Sequence, residues 1–471
     1  MAMFGLEAEE YDRKYKDREL TKRITSKFRP YLRGVVVVIL FIAAYSIAGA
    51  FVPILASGLI TNLEGSVNAN YLLIIILVIF LLNCLGWVFN YFQQKYSAIV
   101  VGGVMLDLRR EATAAALNRD LAFFDRNPIG KIVSRINTDS QDFGDAIYLL
   151  IQFVASILMV VVVAWYMFTI NIFLTIIFLS IIPIFFVTAI LFRKVARGAT
   201  LLGQRALAQV NEFIQESFSG IQIAKTFRQE NKLYTEFNKI NTQCYKVNLK
   251  RGLILNFIYP SLNIVQGVIL AVLIFFGGSS VLGGQINAGE LYLFLQALWL
   301  LFFPLFSIAA FWPQFQAGMS AAERIFSIID TPSNVIQKET IEPKLNGEIE
   351  FKSLTFFYEK DQKVYDQFSL TIHPGESIAI VGHTGAGKST LAKLLMRFYE
   401  FQEGDILFEG ISIKNFNLEA YRKMIGFITQ TPFLWADTIE NNVKFGNPTA
   451  TKEEVIWALS QAGGADWVND L

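Results

Sequence analysis

Eight consecutive residues carry the clearest chemical signal in this chain: Gly382, His383, Thr384, Gly385, Ala386, Gly387, Lys388 and Ser389. They spell G-x-x-x-x-G-K-S between an apolar run, Ser377–Val381, and a segment, LAKLLMRF, with apolar residues at helical spacing. Strand, phosphate loop and helix is the reading that pattern supports. Glycine permits backbone angles that turn successive N–H groups toward one anion. The start of the following helix adds partial positive charge. Lys388 reaches the outer phosphates as a point charge, and the Ser389 hydroxyl is a candidate Mg²⁺ ligand. Gly382, Gly385, Gly387, Lys388, Ser389 and Thr390 are the candidate nucleotide contacts. His383 is one of two histidines. It could serve as a base, but inside a phosphate loop it reads better as the occupant of a variable position.

The elements around this loop follow from charge placement. Residues 34–94, 136–192 and 252–323 contain no Lys or Arg, gaps of 61, 57 and 72 residues. A bilayer-spanning helix needs about 20 apolar residues, so each gap holds two spans and a short turn. Six membrane helices in three hairpins are expected. The segments between hairpins are basic: nine Lys/Arg in 1–33, seven in 95–135 and eleven in 193–251. Such bias marks the cytoplasmic side, so both termini are expected in the cytoplasm. A buried helical core in a soluble protein fits poorly, because soluble helices rarely run so long without charge. The basic segments look helical, with turns expected near Asn127–Gly130 and Ser219–Gly220. No charged residue sits mid-span, which argues against ion coupling and for an energy source outside the membrane. Asn83, Asn90, Gln152, Asn263 and Gln266 are the polar residues within spans, read as helix–helix contacts ahead of a pathway lining.

Apolar residues make up 53% of the 471 residues and charged residues 17%, a balance that suits lipid contact. The net charge of +1 gives no case for nucleic acid as a partner. The first 33 residues carry both charge signs and do not read as a signal peptide. Cys84 and Cys244 lie in unlike surroundings, so neither a disulfide nor, with two histidines, a zinc site is expected. After Trp312 the composition turns polar. The expected organisation is an N-terminal segment 1–33, a six-helix membrane domain 34–322, a linker 323–347 and a nucleotide-binding part 348–471. Strands are expected at Ile349–Tyr358, Ser377–Val381, Asp405–Phe408 and Ile425–Thr429.

With these motifs the chain resembles the ABC exporters, half-transporters that fuse a six-helix membrane domain to one ATP-binding cassette. FFDRNPIGKIVSRINTD at 123–139 resembles the family's first cytoplasmic loop, ESFSGIQIAKTFRQE at 216–230 the second, and AAERIFSIIDTP at 321–332 the linker into the cassette. The implied fold is an all-α membrane domain followed by an α/β P-loop cassette, here incomplete. The resemblance implies ATP and Mg²⁺ as cofactors, a second half-transporter as partner, membrane lipid around the spans, and a transported substrate that cannot be named. Tyr358, 24 residues before Gly382, falls where the family stacks an aromatic on adenine; a plain tyrosine at a strand end is the alternative. Gln430 matches the glutamine that contacts Mg²⁺ and the attacking water. Asn127–Lys131 and the region of Ser217–Ile221 match loop tips that rest on the cassettes.

The chain departs from the family after Gln430. The signature, the Walker B carboxylates and the switch histidine are not found, and Leu459–Gly464 is rejected as a signature because it lies inside a helical run too soon after Gln430. Nucleotide binding is expected of the chain as given; hydrolysis is not, and a truncated gene model or a fragment is the favoured explanation. ATP-driven efflux of an apolar or amphipathic cargo across the cytoplasmic membrane is the functional expectation. The alternative is a nucleotide-gated channel or regulator without turnover.

Overall fold

The computed structural model describes residues 15–63, 69–337, 341–343, 347–359 and 362–464. Helices come first: α1 (Asp17–Lys27), α2 (Leu32–Leu63), α3 (Ala69–Leu117), α4 (Leu121–Arg126), α5 (Ile129–Ser134) and α6 (Ser140–Ile170). They continue as α7 (Ile172–Leu179), α8 (Ile181–Ser219), α9 (Ile221–Thr226), α10 (Glu230–Asn256), α11 (Ile258–Leu282) and α12 (Ala288–Asp330). Strands β1 (Ile349–Phe357) and β2 (Lys363–Ile372) precede α13 (Lys388–Leu395). After β3 (Glu403–Phe408) and β4 (Ile411–Ser412) come α14 (Leu418–Lys423), α15 (Ile439–Lys444) and α16 (Lys452–Gln461). Two compact units result: Met1–Thr113 with Val133–Ile329, and Ala114–Ile132 with Asp330–Leu471.

The first unit is helical. Among the described residues, five stretches are long and apolar enough to cross a membrane: Arg29–Asn62, Leu72–Leu117, Ile129–Ile170, Ile172–Ser219 and Glu230–Leu282. Their apolar residues run all round the helix, and many stay uncovered, Leu73, Phe80 and Trp87 on α3 among them. A helix apolar on every side suits hydrocarbon, not water. The sixth expected span falls in α12, whose described apolar part, Ala288–Leu301, is shorter than a crossing; only the backbone of 302–310 is described.

The basic segments extend these helices, as expected. Gly220 closes α8, and α10 returns along it through a seam of Ala206, Val210 and Cys244. Helices α1, α3, α6 and α12 share a core of Leu20, Ile24, Leu108, Phe143 and Phe326. Beside it a π-helical turn, Arg135–Asp139, leads into α6. Asp139 accepts a two-pronged pair from Arg324, 2.8 Å from Nε and 2.7 Å from Nη2. A planar fork on a nearly buried carboxylate fixes orientation as well as charge.

In the second unit the sheet order is β2-β1-β3-β4, and every ladder is antiparallel. Phe351 of β1 faces Leu370 of β2 and Ile406 of β3. Its inner face packs Phe351, Leu354, Phe356 and Ile406 against Leu391 and Leu394 of α13 and Tyr421 of α14. Two expected strands, Ser377–Val381 and Ile425–Thr429, form no ladder among the described residues. The cause is the lack of a neighbour: a strand is held by its pairing, and apolar sequence alone does not supply one. Val381 and Ile428 accordingly stand 88% and 97% exposed.

Candidate nucleotide-binding site

The loop 382–389 closes onto α13 with the polarity an anion requires. Gly385 and Gly387 adopt φ of +90° and +87°, angles that side-chain-bearing residues rarely reach. Among the described residues no acceptor takes the backbone N–H of Gly385, Gly387, Lys388 or Ser389. Four free donors around a helix start form a nest for phosphate oxygens. The Lys388 ammonium lies across the loop, donating to the carbonyls of Gly382 at 2.8 Å and His383 at 2.9 Å. Ser389 is exposed at the second position of α13. Exposed His383 pairs its Nδ1 with the Thr384 carbonyl at 2.8 Å.

Side chains the motif does not contain hold this loop. The Tyr365 hydroxyl on β2 donates to the Gly387 carbonyl at 2.8 Å. Burial first, and then the neighbouring Tyr358, raises the Tyr365 phenol above its ordinary range. A Cβ on Gly387 would stand 2.9 Å from Val364 Cγ1 and 3.0 Å from the Tyr365 hydroxyl. Nothing in the linear motif points to Tyr365; its only signal is its place on a strand next to the loop in the folded sheet. Thr390 is buried, and its hydroxyl accepts from the Tyr358 hydroxyl at 3.1 Å. Tyr358 meets Tyr399 edge-on at 5.2 Å and Phe356 at 4.9 Å, and remains 38% exposed. Gln430 is exposed in an irregular stretch, and no hydrogen bond among the described residues ties it to the loop.

The far end of α13 is fixed as firmly as its start. A helix leaves its last carbonyls unpaired. Here the Tyr421 hydroxyl donates to the Leu395 carbonyl at 2.7 Å. Arg422 donates to the carbonyls of Met396 at 3.1 Å and Arg397 at 2.8 Å. Burial, then the nearby Arg397 charge, lowers the Arg422 pKa. Arg397, 2% exposed, pairs with Glu400 and donates to the Ile336 and Lys414 carbonyls.

The first loop helix belongs to this same unit. Asp120 caps α4 through the Phe123 N–H at 3.1 Å, and its other oxygen accepts from the N–H groups of Asn334 and Val335. Asp125 accepts a short hydrogen bond from Tyr399. Leu121 and Ala122 pack on the core. The contacts therefore come from Asp120–Asp125, a few residues ahead of the expected Asn127–Lys131. Asn127 ends α4, and Pro128 stands where no helix N–H is needed. Leu459–Gly464 lies at the C-terminal end of α16, with Gly463 at φ +72°. The N–H groups of Ala462, Gly463 and Gly464 donate to the carbonyls of Ala458, Ser460 and Leu459, which closes the helix.

The family model described as ABC transporter transmembrane region matches residues 35–305, and the one described as ABC transporter matches 365–471. This chain belongs to the ABC exporter family. The exporter is 30% identical to the ABC transporter ATP-binding protein exp8 of Streptococcus pneumoniae over 96% of its own length and 77% of that protein's. It is 29% identical to a fatty acid ABC transporter ATP-binding/permease protein of Mycobacterium tuberculosis over 80% of its length. It spans 60% of that relative. It is 30% identical to an ATP-dependent lipid A-core flippase of Syntrophus aciditrophicus over 86% and 68% of the two chains. The transmembrane match covers most of the helical unit together with Ala114–Ile132 of the second, and the other match lies within the strand-bearing unit.

Proposed function

We propose that the exporter chain forms half of a dimer that uses cytosolic ATP to move an apolar or amphipathic cargo outward across the cytoplasmic membrane. The observation that carries this reading is the phosphate nest at 385–389, with four unpaired N–H groups and the Lys388 ammonium beside them. Hydrogen bonds to phosphate oxygens from fixed donors need no rearrangement when ATP arrives. Tyr358 is read as the platform for adenine, Gly382 and Thr390 as framing residues, and Lys388 as the partner of the outer phosphates. The hydroxyl of Ser389 and the carboxamide oxygen of Gln430 are hard oxygen donors of the kind Mg²⁺ takes. Both side chains are exposed, which leaves them accessible. When bound, the ion neutralises charge on the phosphates.

ATP does mechanical work only by favouring one of two conformations. Helix α4, bonded through Asp125 to Tyr399 beside Tyr358, is the route by which the nucleotide unit pulls on the membrane helices. The second loop offers exposed Phe218, Ile223 and Phe227, which we read as the face for a partner's nucleotide unit. The Lys/Arg bias supports cytoplasmic termini. Relatives named for fatty acid and lipid A-core support an amphipathic cargo.

The direct test is Lys388→Met in the full chain, with ATP affinity read by titration of a fluorescent ATP analogue. Loss of a single charged contact predicts at least a tenfold weaker affinity, and an unchanged affinity refutes the reading. The second reading is a nucleotide-gated protein without turnover. Saturable ATP binding without phosphate release in liposomes would select it.

A further inference from the structure

Within the helical unit, a cleft of about 480 Å³ opens between α2, α3 and α6. Six of its lining residues are Asn90, Gln93, Gln94, Ser97, Gln152 and Ser156, and no charged side chain lines it. None of the five polar span residues makes an interhelical hydrogen bond among the described residues. Asn83 bonds back to the Ile79 carbonyl, and Asn90 accepts from Gln94 of its own helix. Asn90 and Gln152 lie on the wall of this cleft.

Two observations point to a ligand. Ser97 is 1% exposed, and its Oγ has no hydrogen-bond partner. Gln93 is buried too and lines the same cleft. An unpaired buried polar group is costly, so its partner is expected from outside the chain. The cleft is far larger than the roughly 30 Å³ of one water and falls in the size range of small-molecule sites. Its level is marked by Lys95, exposed on α3 between Gln94 and Ser97 and the first Lys or Arg after Arg33. Cations stand where hydrocarbon gives way to water. Trp87 and Tyr91, exposed and stacked at 6.1 Å, lie just above on the same helix.

Carboxamides and hydroxyls each donate and accept, and they match a ligand that does the same without net charge. An anionic head would be desolvated with no cation among the lining residues to meet it. We propose that this cleft holds the neutral, hydroxyl-rich head of an amphipath, a glycosyl head whose tail remains in the hydrocarbon. The proposal deepens the efflux reading and rests on it for the sense of transport only; binding stands by itself.

The test uses the full chain in phosphatidylcholine nanodiscs and an alkyl maltoside with a diazirine in its tail. Saturable cross-links to peptides spanning 88–98 and 148–156 are expected. A probe with the same tail and a phosphate head should label these peptides at least fivefold less. Gln93→Leu with Ser97→Ala, and separately Gln152→Leu, should each cut maltoside labelling at least fivefold while ATP affinity stays within twofold. Equal labelling by the two heads overturns the proposal. So does labelling that both variants leave unchanged, or competition by free maltose as strong as by unlabelled dodecyl maltoside. The head-group comparison needs no variant, so a misfolded variant leaves it decisive. ATP affinity on the same samples separates failure here from failure of the nucleotide reading.

Discussion

At the scale of single residues, the phosphate loop is a backbone device. Its two left-handed glycines differ in one respect that makes a prediction. A Cβ on Gly385 meets nothing within 4 Å, whereas a Cβ on Gly387 would press on Val364 and Tyr365. Gly385→Ala therefore bears only the angular strain, about 1–3 kcal/mol. Gly387→Ala bears that strain and also displaces the Tyr365 hydroxyl. Titration with an ATP analogue should show Gly387→Ala weaker than Gly385→Ala by a further fivefold or more; equal affinities would mean that the β2 contact does not shape the loop. The glycines, Lys388 and Ser389 were legible because their spacing along one stretch of chain is itself the site. Tyr365 was not, because it reaches Gly387 only across the sheet.

At the scale of elements, α13 is held at both ends. Its core face, Leu391 and Leu394, follows from helical spacing, but the capping of its last carbonyls by Tyr421 and Arg422 does not. Tyr421→Phe removes one buried hydrogen bond, worth about 1 kcal/mol. Hydrogen exchange of the 388–398 amides that open with this unit should speed up about fivefold. Burial raises the phenols of Tyr421 and Tyr365, and burial together with Asp125 raises that of Tyr399. The folded state holds these protons more tightly than the unfolded chain. Their contribution to stability is complete below the unfolded tyrosine value of about 10 and fades as pH rises toward and through the folded values. Alkaline titration should destabilise the nucleotide unit from about pH 10 upward. The loss should be smaller in Tyr421→Phe; an identical profile in that variant would show that this phenol is not linked to stability.

At the scale of the whole molecule, the covalent order of the chain and its compact units do not coincide. Ala114–Ile132 folds with the nucleotide unit although it lies between membrane helices in sequence. Asp120 and Asp125 make the attachment. Tyr399→Phe keeps the aromatic contact with Tyr358 and deletes only the hydrogen bond to Asp125. ATP affinity should stay within about twofold, amide exchange in 120–127 should rise, and ATP-dependent cargo movement in liposomes should fall. Wild-type exchange and transport in this variant would break the proposed route from nucleotide to membrane.

The sequence by itself determined the long apolar helices, their basic extensions, the turns at Asn127 and Gly220, and the phosphate loop. All of these depend on composition or spacing within one segment, where local sterics and the solvent around a helix set the outcome. The tertiary structure decided what needs two segments to meet. Apolar runs at 377–381 and 425–429 looked like strands, yet without neighbours they form no ladder among the described residues. The loop contact moved to Asp120–Asp125 because its partners, Tyr399 and Asn334, come from more than 200 positions away in the chain. Of the span polar residues, Asn90 and Gln152 face a cleft while Gln266 is buried on α11, since the side of a helix that meets a neighbour is fixed only when the bundle packs.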